Sequence, residues 1–303
     1  MSCTSPVRVS VIIVNYNGGA LLTECVQSVL LSTIPIWIYV VDNASVDQSI
    51  SILTQQLPPD APITVIQNSE NRGFAAAVNQ VLSQVETDYS VVLNPDCLLQ
   101  ADTLQQFCAV LDQEQYRTYG MAGGLVRNPD GTEQAGCRRA IPSPWRALVR
   151  VLHLNRWFPQ QSRFDNFVLT EHPLPSQPVA IEGISGACMV VRQEAVLQVG
   201  LMDEQYFLHC EDLDWFMRFG EAGWPILFIP HINIVHIKGA CSQREPLRVL
   251  WYKHRGMIRF YKKFFRQRYP LVLYWGVATA VWLRFGLLAV PLSVRRWFNA
   301  LVL

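Results

Sequence analysis

Short apolar runs alternate with amphipathic stretches through the first third of the chain. Val7 to Val14, Ile36 to Val41, Ile63 to Ile66 and Tyr89 to Leu93 are brief and largely β-branched, which predicts buried strands. Between them, Ala20 to Leu31, Ser45 to Leu57 and Phe74 to Val85 carry apolar residues at helical spacing. In the first of these, Leu21, Leu22, Cys25, Val26, Val29 and Leu30 make one face, and Ser45 reads as the N-cap of the second. Strand and helix in strict alternation predict an α/β fold with a mostly parallel sheet flanked by helices.

The pattern continues with a helix over Ala101 to Gln113, a strand over Met121 to Val126, and a hairpin-type turn at Asn128-Pro129-Asp130-Gly131. Ile141 to Ser176 is irregular, aromatic and rich in Pro and Arg, and reads as a long lid or binding loop. Val179 to Gly183 leads to a strand at Cys188 to Val191, then a helix from Arg192 to Val199 that Gly200 ends. A helix runs from Glu211 to about Gly220. Pro225 to Pro230 reads as the last strand, with His231, His236, Lys238 and Gly239 after it.

Polar residues collect where the strands stop. Pro95 has no N–H and ends the strand before it, so Asn94 and Asp96 stand just past a carboxyl end, the edge where ligands bind in open α/β sheets. Tyr16 and Asp42 also follow strands directly, and Arg72 lies in the turn before the third helix. An aromatic face stacks on a base, an Asp accepts a pyrimidine N–H, an Arg meets phosphate, and a carboxylate holds a hard cation. Each residue has an ordinary alternative as loop packing, turn acid, solvated charge or helix cap; their shared edge favours a site. Glu211, Asp212 and Asp214 open one helix, more acids than its dipole requires, and a carboxylate there can take a proton from a hydroxyl. His236 reads either as a structural histidine or as a metal ligand.

Composition narrows the function. The net charge of +1 argues against a nucleic-acid binder working by bulk charge. The sequence has neither G-x-G-x-x-G nor a P-loop motif. Eight cysteines without a C-x-x-C pair suit a reducing compartment, and no signal peptide is expected from the polar opening residues. The basic charge is concentrated after Arg244, where Glu245 is the single acid. Leu247 to Arg268 interleaves basic and aromatic residues, as suits an anionic membrane surface. Leu271 to Val294 is long enough to cross a bilayer, but Arg284 near its middle is costly there and Pro291 interrupts it. Basic residues on both flanks, including Arg295 and Arg296, favour a peripheral or re-entrant tail over a crossing.

Five motifs in order, Val9 to Asn17, Val41 to Asp47, Asn71 to Ala75, Asn94-Pro95-Asp96 and Glu211 to Asp214, resemble those of family 2 glycosyltransferases, and most of all a bacterial rhamnosyltransferase-like branch. The resemblance covers Val7 to Gly239. It implies a GT-A fold, with a Rossmann-like sheet, over residues 1–240. Residues 7–126 would be the nucleotide-sugar half, 127–240 the acceptor half, and 241–303 a membrane-associating helical tail. It implies donor-binding roles for Asn15, Tyr16, Asp42, Asn71, Arg72, Gly73 and Asn94, and metal-binding roles for Asp96 and His236. Asp212 would be the general base, with Glu211 as the alternative. The cofactor would be Mg²⁺ or Mn²⁺, the donor a dTDP- or UDP-sugar, dTDP-L-rhamnose first, and the acceptor a saccharide or lipid-linked saccharide. The reaction would be an inverting transfer at the cytoplasmic face of a membrane. Asn94 departs from the family's Asp at that position, which lowers the expected metal affinity. A sugar-nucleotide nucleotidyltransferase and a catalytically idle assembly component are the competing readings.

Overall fold

The computed structural model describes residues 8–158, 161–165, 167–237 and 245–301, with side chains at 162 and 294–301 left aside. Val7, Lys238, Gly239, the 240/241 boundary, Cys3 and Cys241, and the side chains of Arg295 and Arg296, lie outside the described residues.

The elements in order are β1 (Val9–Asn15), α1 (Ala20–Leu30), β2 (Ile36–Asp42), α2 (Ser49–Gln56), β3 (Ile63–Gln67), α3 (Phe74–Leu82) and β4 (Tyr89–Leu93). Then follow β5 (Cys97–Leu98), α4 (Thr103–Leu111), β6 (Met121–Arg127), β7 (Arg138–Arg139), α5 (Pro144–Val151) and α6 (Leu154–Trp157). The remainder is β8 (Val179–Ile181), β9 (Gly183–Ile184), β10 (Cys188–Arg192), α7 (Gln193–Val199), α8 (Glu211–Glu221), β11 (Ile226–His236), α9 (Pro246–Phe264) and α10 (Leu271–Leu301).

The main sheet has the order β3-β2-β1-β4-β10-β6-β11-β5, with β8 on β11. β3, β2, β1 and β4 are parallel, as the alternating pattern predicts. β10 then inserts antiparallel between β4 and β6, so the sheet is mixed in its second half. The two expected halves share this one sheet. β1 and β4 are buried along their whole length, because helices cover both faces. β7 and β9 form a separate two-stranded ribbon.

Four expectations are corrected. α2 starts at Ser49 rather than Ser45: the Asp47 carboxylate accepts from Ser49 N at 3.0 Å and Oγ at 2.6 Å, while Ser45 is drawn to Asp42. The last strand passes through Pro230 to His236, because Pro230 falls in the register break between Ile229 and Asn233, where no ladder bond is lost. The stretch 141–176 contains α5, α6 and two 3₁₀ turns among its described residues. The helix of the tail also runs on through Pro291.

The six described cysteines are buried. α9 and α10 pack on each other, with Tyr261 against Tyr274 and His254 against Phe285. Leu271–Ser293, at mean hydropathy 1.6, is long and apolar enough to cross a membrane, and only 11% of that window is buried.

Candidate active site

Parallel register sets Asn15 opposite Asp42, and Ile13 opposite Leu93, so the carboxyl ends of β1, β2 and β4 form one edge. Asn15 is buried there, its amide nitrogen donating to Asp42 Oδ1 at 2.7 Å, with Ser45 Oγ at 3.0 Å and Ser49 Oγ at 2.9 Å. Its Oδ1 accepts from Gly18 N at 3.2 Å. Asn15 is therefore engaged wholly with protein and acts by holding Asp42. The Asp42 carboxylate also accepts from Ser45 Oγ at 2.5 Å and Ser45 N at 3.0 Å. Tyr16 lies beside it, half-buried.

The third turn is knitted to this edge. Asn43 Nδ2 donates to the Gly73 carbonyl at 3.0 Å, and Asn71 Oδ1 accepts from Gly73 N at 3.0 Å. Gly73 has φ +86°, and a Cβ there would lie 2.7 Å from the Phe207 carbonyl oxygen, so both conformation and space require glycine. Asn71 and Gly73 thus shape the turn, and exposed Arg72 projects from it.

Asp96 and His236 meet beyond β4. His236 Nδ1 is 2.7 Å from Gln134 Oε1. Gln134 donates its own amide nitrogen to Asn128 Oδ1 at 2.9 Å and to the His236 carbonyl at 3.1 Å, which leaves Oε1 as acceptor. Nδ1 is therefore the donor, and in the neutral imidazole Nε2 presents a lone pair. That lone pair faces Asp96 Oδ1 at 3.1 Å, and this buried oxygen has no hydrogen-bond donor among the described residues. Two acceptors so close, both buried, are the donor set of a cation, and the residues fit Mg²⁺ or Mn²⁺. Asn94 Nδ2 lies 3.5 Å from the same Nε2, at the rim. Cys97 Sγ is also near, but burial raises its thiol well above the ordinary value and it donates to the Ala187 carbonyl.

Asp212 and Glu211 open α8. His209 and Cys210 both adopt positive φ, at 70° and 73°, which turns the chain sharply into the helix. Glu211 is fully enclosed. Burial first, and the Asp212 charge second, raise its carboxyl far above the usual range, so it holds its proton near neutrality. Asp212 instead pairs with Arg139, whose Nε donates to the Ile184 carbonyl at 3.0 Å and whose guanidinium lies over Phe216. Of the two acids, Asp212 is the one paired with a cation. The turn before β10 links this group to the metal-type pair: Gly186 abuts the Asp212 carboxylate, and the Ala187 carbonyl accepts from Asn94 N at 2.8 Å.

Gln134 and Arg139 were not singled out from the sequence. Nothing in the local pattern marks Gln134. The paired arginines 138 and 139, in a stretch without acids, are the signal that was available for Arg139. A cavity of about 670 Å³ lies at the opposite, amino end of the strands. In its wall Arg8 pairs with both Asp88 and Asp112.

The profile of the family described as Glycosyl transferase family 2 matches residues 10–197. The chain belongs to that family. It is 29% identical over 264 residues, 82% of each chain, to an N-acetylglucosaminyl-diphospho-decaprenol L-rhamnosyltransferase of Mycobacterium tuberculosis. It is 23% identical over 199 residues to the rhamnosyltransferase WbbL of Escherichia coli, covering 65% of this chain and 64% of that one. Among solved structures, a mannosyltransferase from Pyrobaculum calidifontis in complex with GDP-Man and Mn²⁺ superposes with TM-score 0.57 at 19% identity, over 87% of this chain and 65% of that one. GalNAc-T7 with UDP, GalNAc and Mn²⁺ gives 0.59 at 15% identity, over 84% of this chain and 48% of that one. These two likenesses show the fold, which is the GT-A fold expected from the motifs. The family 2 chain is a glycosyltransferase, and the nucleotidyltransferase reading falls away.

Proposed function

We propose that this glycosyltransferase moves a sugar onto a hydroxyl of a lipid-linked saccharide, with inversion, in cell-surface polysaccharide synthesis at the cytoplasmic face of a membrane. The sugar is L-rhamnose from dTDP-L-rhamnose in the first instance, and otherwise a hexose from a UDP-sugar. The observation that carries the reading is the convergence of Asp96 Oδ1 and His236 Nε2, two acceptors 3.1 Å apart with no donor for the Asp96 oxygen among the described residues. The donor and acceptor classes rest on likeness to the mycobacterial protein, whose name states L-rhamnose transfer and a diphospho-decaprenol acceptor.

The roles come from the family resemblance, and the geometry supports them. Asp42, fixed by Asn15 and Ser45, receives the pyrimidine N–H, and Tyr16 stacks on the base. Arg72 meets the diphosphate. Asp96 and His236 hold Mg²⁺ or Mn²⁺, with Asn94 at the rim; the ion, when bound, neutralises charge on the departing diphosphate. Asp212 takes the proton of the acceptor hydroxyl as that oxygen bonds to the anomeric carbon. The bond from that carbon to the diphosphate breaks on the opposite side, which inverts the centre in one displacement. Arg139 orients the Asp212 carboxylate, and Glu211 stays neutral behind it. The tail brings the enzyme to the lipid.

Calorimetric binding of dTDP-rhamnose, UDP-glucose, UDP-galactose and GDP-mannose tests this, with Mg²⁺, Mn²⁺ or chelator. One pyrimidine donor should bind in a metal-dependent way to the wild type and lose that dependence in Asp96→Ala. If no sugar nucleotide binds under any condition, the reading fails.

A further inference from the structure

The stretch from Pro144 to Phe158 is turned inside out. α5 is well formed: Ser143 caps it by accepting from Arg146 N at 3.2 Å, and Pro144 occupies its first turn. Val149 packs inward and is fully buried. Trp145, Leu148 and Val151, one face of the helix, point to solvent, with Val151 74% exposed. Leu152, Phe158 and Trp157, the last 79% exposed, continue that strip.

The helix's two arginines are tied to the body instead. Arg146 grips Glu182 through both terminal nitrogens, at 2.5 and 2.7 Å. Arg150 reaches Glu171 at 3.3 Å and lies over Phe167. An ordinary surface helix turns its apolar side to the core and its charges to water. Here two ion pairs hold the opposite orientation, so the apolar strip is presented outward. Between Glu133 and Asp165 the sequence holds six arginines and no acid; Arg138, Arg139, Arg146 and Arg150 pair with acids, and Arg156 and Arg163 are exposed. Apolar residues with exposed indoles, accompanied by exposed Arg156 and Arg163, complement the headgroup layer of an anionic bilayer.

We propose that α5 and residues 152–158 form a membrane-contact surface of their own, additional to the C-terminal tail, and that an anionic lipid bilayer covers it. β7 carries Arg139 and precedes α5 by four residues, so this contact holds the Asp212 side of the site against the lipid. The proposal stands on the orientation of α5 and not on the donor or the acceptor.

The test uses the full chain in nanodiscs of phosphatidylcholine and phosphatidylglycerol, with the photoreactive residue p-benzoylphenylalanine at position 148. Position 157 gives a second probe of the same strip. Position 287 in α10 is the positive control, and position 197, an equally bare leucine on α7, is the negative one. Irradiation should give lipid adducts at 148 and 157 in roughly fivefold or greater excess over 197. Chain-to-chain adducts at 148 and 157 would instead make the strip an interface between copies. Lipid adducts no more frequent than at 197 would overturn the proposal outright. Neither result depends on turnover, so failure of the transferase reading would leave the outcome interpretable.

Discussion

Gln134 decides the state of a histidine it does not resemble in any motif. Its amide nitrogen serves Asn128 and the His236 carbonyl, and its oxygen accepts from His236 Nδ1, so in the neutral imidazole Nε2 is left bare toward Asp96. A partner that fixes tautomer and ring direction is what metal-bound imidazoles require. Gln134→Leu keeps much of the volume, removes both bonds to His236, and frees the ring to turn or change tautomer. Titration of Mn²⁺ in the presence of nucleotide should then show affinity lower by roughly 10- to 100-fold. Unchanged affinity would mean that His236 is not a ligand. The same residue shows how sequence reading divides. His236 and Asp96 were legible because a family motif and a strand-ending proline marked them. Gln134 was not, because its role depends on a turn bringing β6 and β11 together, more than a hundred residues apart in the chain.

At the scale of elements, α9 is the brace of the site. Tyr252 stacks on Phe207 at 4.3 Å between ring centres, and the Phe207 carbonyl accepts from Phe74 N at the head of the donor-side helix. Further along, Arg259 and Lys263 bind Asp203 at 2.7 and 2.9 Å, and Lys263 also reaches buried Asp214 at 2.6 Å. Gly256 allows the closest approach: a Cβ there would lie 2.8 Å from the His209 carbonyl oxygen, within the strained turn that aims Asp212. Gly256→Ala must push α9 away from that turn, and overpacking of this kind costs about 1–3 kcal/mol. The expected result is a lower kcat with donor affinity largely kept, together with a lower melting temperature. Gly276→Ala is the control, since nothing lies within 4 Å of its Cβ position. Equal behaviour of the two variants would show that α9 does not brace the turn. The four parallel strands and their helices were readable because period-2 and period-3.6 patterns hold wherever one face is buried. α5 was read as loop because it is only eight residues long, in a stretch whose prolines and arginines mark it as irregular. Ser45 was read as a cap because the competition from Asp42 and Asp47 is decided by the turn's geometry, not by residue type.

The molecule as a whole joins a GT-A sheet to a helical tail whose single charge between Leu271 and Ser293 is Arg284. The sequence made that arginine a cost in lipid. The structure directs it to His254 of α9, which is buried. His254 Nδ1 donates to the Leu250 carbonyl at 2.7 Å, so Nε2 accepts from Arg284 at 3.2 Å. The pairing holds only while the imidazole is neutral. Burial first, then the charges of Arg284 and Lys253, lower its proton affinity below the ordinary 6.5. A histidine released from the helix pair takes a proton at a pH where the docked one does not. Docking is therefore at full strength above 6.5 and weakens as pH falls below it. Hydrogen exchange of residues 271–293 in nanodiscs, corrected for the intrinsic pH dependence of exchange, should show protection falling between about pH 7 and pH 5. His254→Phe fills the same space without a titrating group. It loses the bond to Arg284 at every pH, so its protection should be lower at pH 7.5 and flat across the range. A falling profile in that variant too would move the titration to another group and leave the Arg284–His254 contact without a role in holding the tail to the enzyme.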